Sequence, residues 1–175
     1  MLLFAMQLQL HIKFIMALSI INNKSDIREV KQKAARFCAY QERCISDVKR
    51  KLNSMQVTGE EADIIIDELI KEGFLNEDRF AKIYAGGRFR MKGWGRMKIY
   101  KALRAKEVQE KDIRNALNEI DETEYRKTLK SILEKKIKEL KEEDFTKRKQ
   151  KLVNFALGRG FESGLIWEII GEMSM

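Results

Sequence analysis

The chain has 175 residues, of which 44% are hydrophobic and 35% charged, so its composition excludes a disordered protein and fits a folded one. It contains no proline, which favours long helices joined by tight turns, and its net charge of +8 points to an anionic partner. Two cysteines and one histidine (Cys38, Cys44 and His11) are too few for a structural zinc site, and reduced, partly buried thiols are expected instead of a disulfide.

Residues 1–25 begin with an apolar stretch that needs its own interpretation. The stretch lacks the basic start and the small-residue cleavage site of a secretory signal. Four polar residues between positions 7 and 13 interrupt it, so a membrane-spanning helix is not expected. Three interpretations stay open: a short appended strand or helix, a weak membrane contact, or an extension that is not native, with Met16 as an alternative start.

Turn signals divide the rest of the chain into short helical segments. Ser46 is predicted to cap a helix over residues 47–52. Thr58 and Glu61 have the spacing of a capping box, in which a hydroxyl at the cap is followed three residues later by a carboxylate. Gly73 is placed to end the helix that begins there, because glycine favours the left-handed conformation that closes a helix.

The following helix is predicted to begin after Asn76, whose side chain can cap it, with Glu77 and Asp78 near the positive end of the helix dipole. Gly86 and Gly87 lie within this helix, where each is unfavourable by about 1 kcal/mol relative to alanine. Their presence indicates either a kink or the close approach of another helix.

One spacing of apolar residues, at +4, +9, +14 and +18, recurs three times along the chain. The three copies are Val48, Leu52, Val57, Ala62 and Ile66; Ile99, Leu103, Val108, Ile113 and Leu117; and Leu152, Ala156, Phe161, Ile166 and Ile170. Each copy predicts a helix, a turn and a second helix, and a further helical stretch precedes each one. The sequence therefore predicts an all-α fold of three tandem three-helix, helix-turn-helix-like repeats (26–73, 74–121 and 122–175) in an elongated, curved array.

Residues 79–106, which we call the basic window, contain ten Lys or Arg and no acid. Lys98, Lys101 and Arg104 are predicted to face solvent, opposite the apolar side of their helix. Cations in the first turn of a helix are unfavourable by about 0.3–1 kcal/mol each, so this pattern favours an anionic partner. The predicted binding residues are Arg88, Arg90, Lys92, Trp94, Arg96, Lys98, Lys101, Arg104 and Lys106.

Other interpretations of the basic window stay open. Charge runs are usually solvated faces, acids from another repeat could lie opposite this one, and Trp94 could be a core residue. A basic helix on a membrane surface requires a broad apolar face, which Ile99 and Leu103 alone do not supply.

No catalytic motif is found in the chain. The GxxxxGK[ST] phosphate loop, the GxSxG elbow and the HExxH metal motif are all missing, and the single histidine lies in the apolar leader. Acidic residues follow helix-surface spacing beside Lys and Arg and form no converging pair. We therefore expect a protein that is not an enzyme and that needs neither a cofactor nor a metal.

Three segments together resemble the RecX family of bacterial recombination regulators: AARFCAYQERCISDVKRKL (34–52), ELIKEGFLNEDRFAKIYAGGRFR (68–90) and KGWGRMKIYKALRAKEV (92–108). The residues that match the family pattern are Ser46, Val48, Leu52, Gly73, Asn76, Arg79, Phe80, Ala81, Tyr84, Gly93, Gly95, Ile99 and Leu103. The resemblance covers residues 27–172 and is most specific in the middle third. The leader departs from the pattern, and in the third repeat Ala156 replaces a larger apolar residue.

The resemblance implies tandem three-helix repeats and a regulator that lies in the groove of the RecA filament on single-stranded DNA. Its implied activity is modulation of RecA ATP hydrolysis, strand exchange and coprotease activity, by inhibition, in recombination, DNA repair and the SOS response. The basic window would then face the filament's DNA or its acidic surfaces. A monomer in the cytoplasm is expected.

A second function stays open beside this one. Three-helix units resemble helix-turn-helix modules, so the chain could bind duplex DNA without RecA, with residues 98–106 in the major groove. Direct contact with single-stranded DNA is equally compatible with the basic window.

Overall fold

The computed structural model describes residues 27–142 and 144–173, and the expectations for residues 1–25, Met16 and His11 lie outside this part of the chain. All regular secondary structure in the described residues is helical, which confirms the all-α class. The helices are α1 (27–40), α2 (Ile45–Asn53), α3 (Gly59–Lys71), α4 (Glu77–Lys92), α5 (Arg96–Arg104), α6 (Glu110–Asn118), α7 (Glu122–Glu139), α8 (Phe145–Arg159) and α9 (Ser163–Glu172). Each predicted repeat contains three of them in succession.

The same turn joins the second and third helices of every repeat. Its central residue has a left-handed backbone: Gln56 (φ 63°), Glu107 (φ 62°) or Gly160 (φ 89°). The next residue donates a 6→1 hydrogen bond, the mark of a Schellman motif. These bonds run from Val57 N–H to Leu52 O (3.1 Å), from Val108 N–H to Leu103 O (3.2 Å) and from Phe161 N–H to Ala156 O (3.2 Å). The turn accounts for the five-residue spacing in the apolar pattern.

The recurring apolar spacing marks the core. Fourteen of its fifteen residues are buried, and the fifteenth, Leu117, is partly buried against the core that helices α4 to α9 share. Full burial of a Leu or Ile side chain stabilises a fold by roughly 1.5–3 kcal/mol, so these positions supply much of the driving force for folding. The prediction of a three-helix repeat fold is confirmed.

The described residues form two compact units. The first consists of residues 27–41 and Val48–Leu75, in which Lys31 pairs with Glu68 (2.6 Å) and Glu72 (2.7 Å). The second consists of Glu42–Asp47 and the chain from Asn76 onward.

In the second unit one hydrophobic core runs through helices α4 to α9. Tyr125 lies within it, with its ring centroid 5.7 Å from that of Phe89 and 5.0 Å from that of Phe161. The last two repeats therefore share one hydrophobic core.

Several helix ends differ from the prediction. Ser46 lies inside the first turn of α2 and does not cap it, because its hydroxyl donates to the carbonyl oxygen of Lys106 (2.7 Å). Thr58 does occupy the N-cap of α3, but its side chain makes no capping hydrogen bond. The prediction for Asn76 is confirmed, since its side chain accepts from the Arg79 amide at 2.8 Å.

Helix α4 continues without interruption through Gly86 and Gly87. A Cβ atom at Gly87 would meet no other atom within 4 Å, so no second helix approaches closely there. Cys38 and Cys44 are buried and unbridged, as expected. Within the described residues, no helix has both the length and the apolar character needed to cross a membrane.

Candidate functional site

The basic window occupies α4 and α5 of the second unit, and its cations fall into two groups. Those with internal partners are Arg79, Lys82, Arg88, Arg96, Lys98 and Lys106, and those exposed to solvent are Arg90, Lys92, Lys101 and Arg104. Only the second group is available to a partner without rearrangement.

Arg96 and Lys106 bind acids from elsewhere in the chain. The Arg96 guanidinium pairs with Glu122 (2.9 Å) and lies over the ring of Tyr125, 4.1 Å from its centroid. The Lys106 ammonium pairs with Asp47 at 3.1 Å. Acids from other repeats therefore neutralise part of the basic window. Arg96 and Lys106 stabilise the folded chain and are not free to bind a partner.

Trp94 lies between two cations. The Arg88 guanidinium is 5.2 Å from its ring and the Lys98 ammonium 4.9 Å, distances at which cation–π attraction is appreciable. Lys98 also donates to the carbonyl oxygen of Gly158 at 3.2 Å. Lys98 is consequently half-buried and lies off the exposed stripe of Lys101 and Arg104.

The turn between α4 and α5 is held against the turn between α8 and α9 by main-chain hydrogen bonds. The Gly95 amide donates to Arg159 O (2.8 Å), and the Met97 amide donates to Gly160 O (3.0 Å). A Cβ atom at Gly95 would collide with the backbone of Gly160, and one at Gly160 would collide with Lys98. This use of the two glycines was not predicted, although the glycines in Lys-Gly-Trp-Gly-Arg and Gly-Arg-Gly-Phe mark both segments as turns.

The contact between the α4–α5 turn and the α8–α9 turn, which we call the junction, also buries the hydroxyl of Tyr125. This hydroxyl accepts a hydrogen bond from the Arg96 amide (2.8 Å) and donates one to Glu162 Oε2 (2.7 Å). Burial raises the pKa of Tyr125 well above its ordinary value, and the neighbouring Glu162 carboxylate acts in the same direction. The first turn of α5 is thus fixed by contacts with the third repeat.

The exposed cations have little or no acidic neutralisation. Within the described residues, Arg90, Lys92 and Lys101 have no acid within ion-pair distance, and Arg104 reaches Glu110 only at 4.0 Å. The Arg90 guanidinium folds back over Gly86, where a Cβ atom would lie 2.8 Å from its Nη2. Gly86 therefore provides space for this side chain.

A groove of about 690 Å³ opens between the end of α4 and helices α7 and α8. Its basic lining residues are Arg90, Lys92, Lys127, Lys135, Lys136 and Arg159, and its acidic ones are Glu124 and Glu139. Arg90 and Lys92 were predicted as binding residues from the sequence, and the other four were not. A periodicity search on α7 would have placed Lys127 and Lys135 on one face, eight residues apart.

Two family models match the chain. The model described as RecX, second three-helix domain, matches residues 76–117, and the model described as RecX, third three-helix domain, matches residues 122–170. The regulatory protein RecX of Clostridium tetani is 30% identical over 153 residues, which cover 86% of this chain and 68% of that protein. The regulatory protein RecX of Pelodictyon phaeoclathratiforme is 34% identical over 116 residues, which cover 66% of this chain and 71% of that protein.

A longer relative and a solved structure extend the comparison. The regulatory protein RecX of Oceanobacillus iheyensis is 24% identical over 156 residues, and the match spans 89% of this chain and 57% of the length of that protein. The crystal structure of RecX from Lactobacillus salivarius superposes with a TM-score of 0.79 at 22% identity, over 85% of this chain and 97% of that one. At 22% identity this superposition shows a shared fold and nothing about function.

Proposed function

Because this chain belongs to the RecX family of regulatory proteins, we propose that it binds the RecA filament on single-stranded DNA and inhibits RecA. The observation that carries this proposal is the exposed set Arg90, Lys92, Lys101 and Arg104, in a segment that has no acid of its own. Exposed cations of this kind attract a polyanion such as a nucleoprotein filament and can bind its phosphates.

Within this proposal, the chain lies in the groove of the filament and lowers RecA ATP hydrolysis, strand exchange and coprotease activity. It acts in the cytoplasm as a monomer, with repeats at 26–73, 74–121 and 122–175 and no catalytic activity of its own. In the described residues, no cluster of three or more His, Cys, Asp or Glu side chains is arranged to bind a metal ion.

Three features make a helix-turn-helix reader of duplex DNA the weaker alternative. A recognition helix places its first turn in the major groove, but the first turn of α5 is packed against the α8–α9 turn. The first turn of α6 carries Glu110 and Asp112, whose charges would be repelled by DNA phosphates. Lys98 and Lys106, assigned to the major groove in that alternative, both have internal partners.

The deciding experiment is a titration of RecA ATP hydrolysis on single-stranded DNA with this protein, starting far below equimolar. Loss of hydrolysis at substoichiometric protein is expected for a filament modulator. Unchanged hydrolysis together with tight, salt-dependent binding to duplex DNA would reject the proposal in favour of the alternative.

The contribution of the exposed cations is tested by the double variant Lys101→Glu and Arg104→Glu. Both side chains are exposed, so helicity and thermal stability are expected to change little, while the concentration needed for half-inhibition of RecA rises at least tenfold. The matched control is Lys130→Glu and Lys138→Glu, two exposed lysines on α7 outside the basic window. Full inhibition by the Lys101/Arg104 variant would remove these residues from the site.

A further inference from the structure

The groove between α4, α7 and α8 holds more positive charge than its own acids neutralise. Its six basic and two acidic lining residues leave an excess of four positive charges. One of the two acids, Glu139, is already paired with Lys136 at 3.0 Å. Like charges held close together raise the free energy of the folded state, and a bound anion would relieve that repulsion.

Two of the cations are held in place by the protein. Arg159 donates from Nη1 to the carbonyl oxygen of Lys92 (2.9 Å), and its guanidinium lies 5.1 Å from the ring of Phe155. The Lys136 ammonium lies 5.2 Å from the same ring. Side chains that are already ordered lose less entropy when they bind a phosphate, so Arg159 is preorganised for an anion, whereas Lys136 must first exchange its pairing with Glu139.

The remaining cations are free to pair with a ligand. Arg90, Lys92, Lys127 and Lys135 have no acid within ion-pair distance in the described residues, and all four are exposed. On α7, Lys127, Ser131 and Lys135 follow one another at intervals of four, so they lie along one face of the helix. At 1.5 Å per residue this row is about 12 Å long, which matches roughly three phosphates of a nucleic-acid strand.

The groove also offers neutral groups that suit a nucleotide chain. The hydroxyls of Thr128 and Ser131 can donate to phosphate oxygens. Ile132 and Phe155 provide an apolar surface for a sugar or a base. A volume of about 690 Å³ lies in the range of ligand-binding pockets and is enough for a short stretch of a single strand.

From this arrangement we infer that the α4–α7–α8 groove binds the backbone of single-stranded DNA, about three nucleotides long, chiefly through side chains of the third repeat. This site goes beyond the proposed function, because it requires no RecA. It assigns a binding role to α7 and α8, which lie outside the basic window. The affinity expected for a free strand is weak, with a Kd of roughly 1–100 µM at physiological salt.

The test is fluorescence anisotropy of a labelled eight-nucleotide oligothymidylate with the full chain at low salt, without RecA. The variant Lys127→Glu and Lys135→Glu is expected to weaken binding at least tenfold. The matched control is Lys130→Glu and Lys138→Glu, which has the same charge change, helix and eight-residue spacing but lies outside the groove. The control is expected to weaken binding less than threefold, and both variants should melt close to the parent protein.

Three results would overturn this inference. The parent protein could fail to bind the oligonucleotide, or both variants could weaken binding equally, which would indicate general electrostatic attraction without a defined site. Inorganic tripolyphosphate could displace the strand at the same phosphate concentration, which would indicate a site for free anions. None of these results bears on inhibition of RecA, so the two proposals fail independently.

Discussion

Gly160 combines two constraints that no other residue type can satisfy. Its backbone is left-handed (φ 89°), and a Cβ atom there would collide with Lys98. Gly160→Ala is therefore expected to lower the free energy of unfolding by about 2 kcal/mol or more, as measured in urea. The matched control is Gly158→Ala, where a Cβ atom would meet nothing within 4 Å and helix propensity should rise. Equal stability of the two variants would contradict the close approach.

Tyr125 links stability to alkaline pH. Its pKa is raised in the folded state, whereas an unfolded tyrosine titrates near pH 10. The stabilisation that accompanies the raised pKa is therefore complete below about pH 10 and is lost as pH rises further, because the unfolded chain ionises first. Tyr125→Phe removes two buried hydrogen bonds and should cost about 1–3 kcal/mol at pH 8.

The difference in unfolding free energy between the parent and Tyr125→Phe should then narrow between pH 10 and pH 11. Urea unfolding at several pH values measures this directly. A difference that stays constant from pH 8 to pH 11 would show that the Tyr125 hydroxyl titrates normally in the folded protein.

At the scale of elements, the repeated Schellman turn contains strain in two of its three copies. Gln56 and Glu107 adopt a left-handed backbone that glycine takes without cost. Gln56→Gly and Glu107→Gly are each expected to raise the unfolding free energy by about 0.5–1 kcal/mol, seen as a higher melting temperature. Ala105→Gly, two residues before Glu107 and with φ −64°, should instead lower it. A lower melting temperature for both glycine variants would argue against the left-handed turn.

Elements defined by local signals were predictable from the sequence. The Asn76 cap and the apolar spacing depend on residues close together in the chain, and the structure confirms both. The predicted Ser46 cap failed because its hydroxyl is used by the Lys106 carbonyl, sixty residues away. No second helix approaches Gly87 closely, so the close approach considered for that position is not found.

The candidate site was less predictable, because it depends on contacts between residues that are far apart in the chain. A charge run shows which residues are basic, but not which of them meet an acid from another repeat. The pairing of Arg96 with Glu122, and the groove that joins Lys92 to Arg159, depend on how the third repeat packs against the second. A single sequence does not show which distant segments meet in such contacts.

At the scale of the second unit, the shared core couples the last two repeats. Leu103 is fully buried in this core, so Leu103→Asp places an unpaired charge among apolar side chains at a cost of several kcal/mol. The variant should unfold helices α4 to α9 together, with amide hydrogen exchange rising in α8 and α9 as much as in α5. The exposed control Lys101→Asp should leave exchange nearly unchanged. Continued protection of α8 and α9 in Leu103→Asp would show that the repeats fold separately.

The junction at Gly95 and Gly160 also affects how far the sequences of related proteins can differ while the fold is kept. Its hydrogen bonds join main-chain atoms, which are the same whatever side chains surround them. Exposed side chains around this joint can therefore change while its main-chain hydrogen bonds keep the same geometry. A TM-score of 0.79 at 22% identity to the Lactobacillus salivarius protein is the outcome that such tolerance allows.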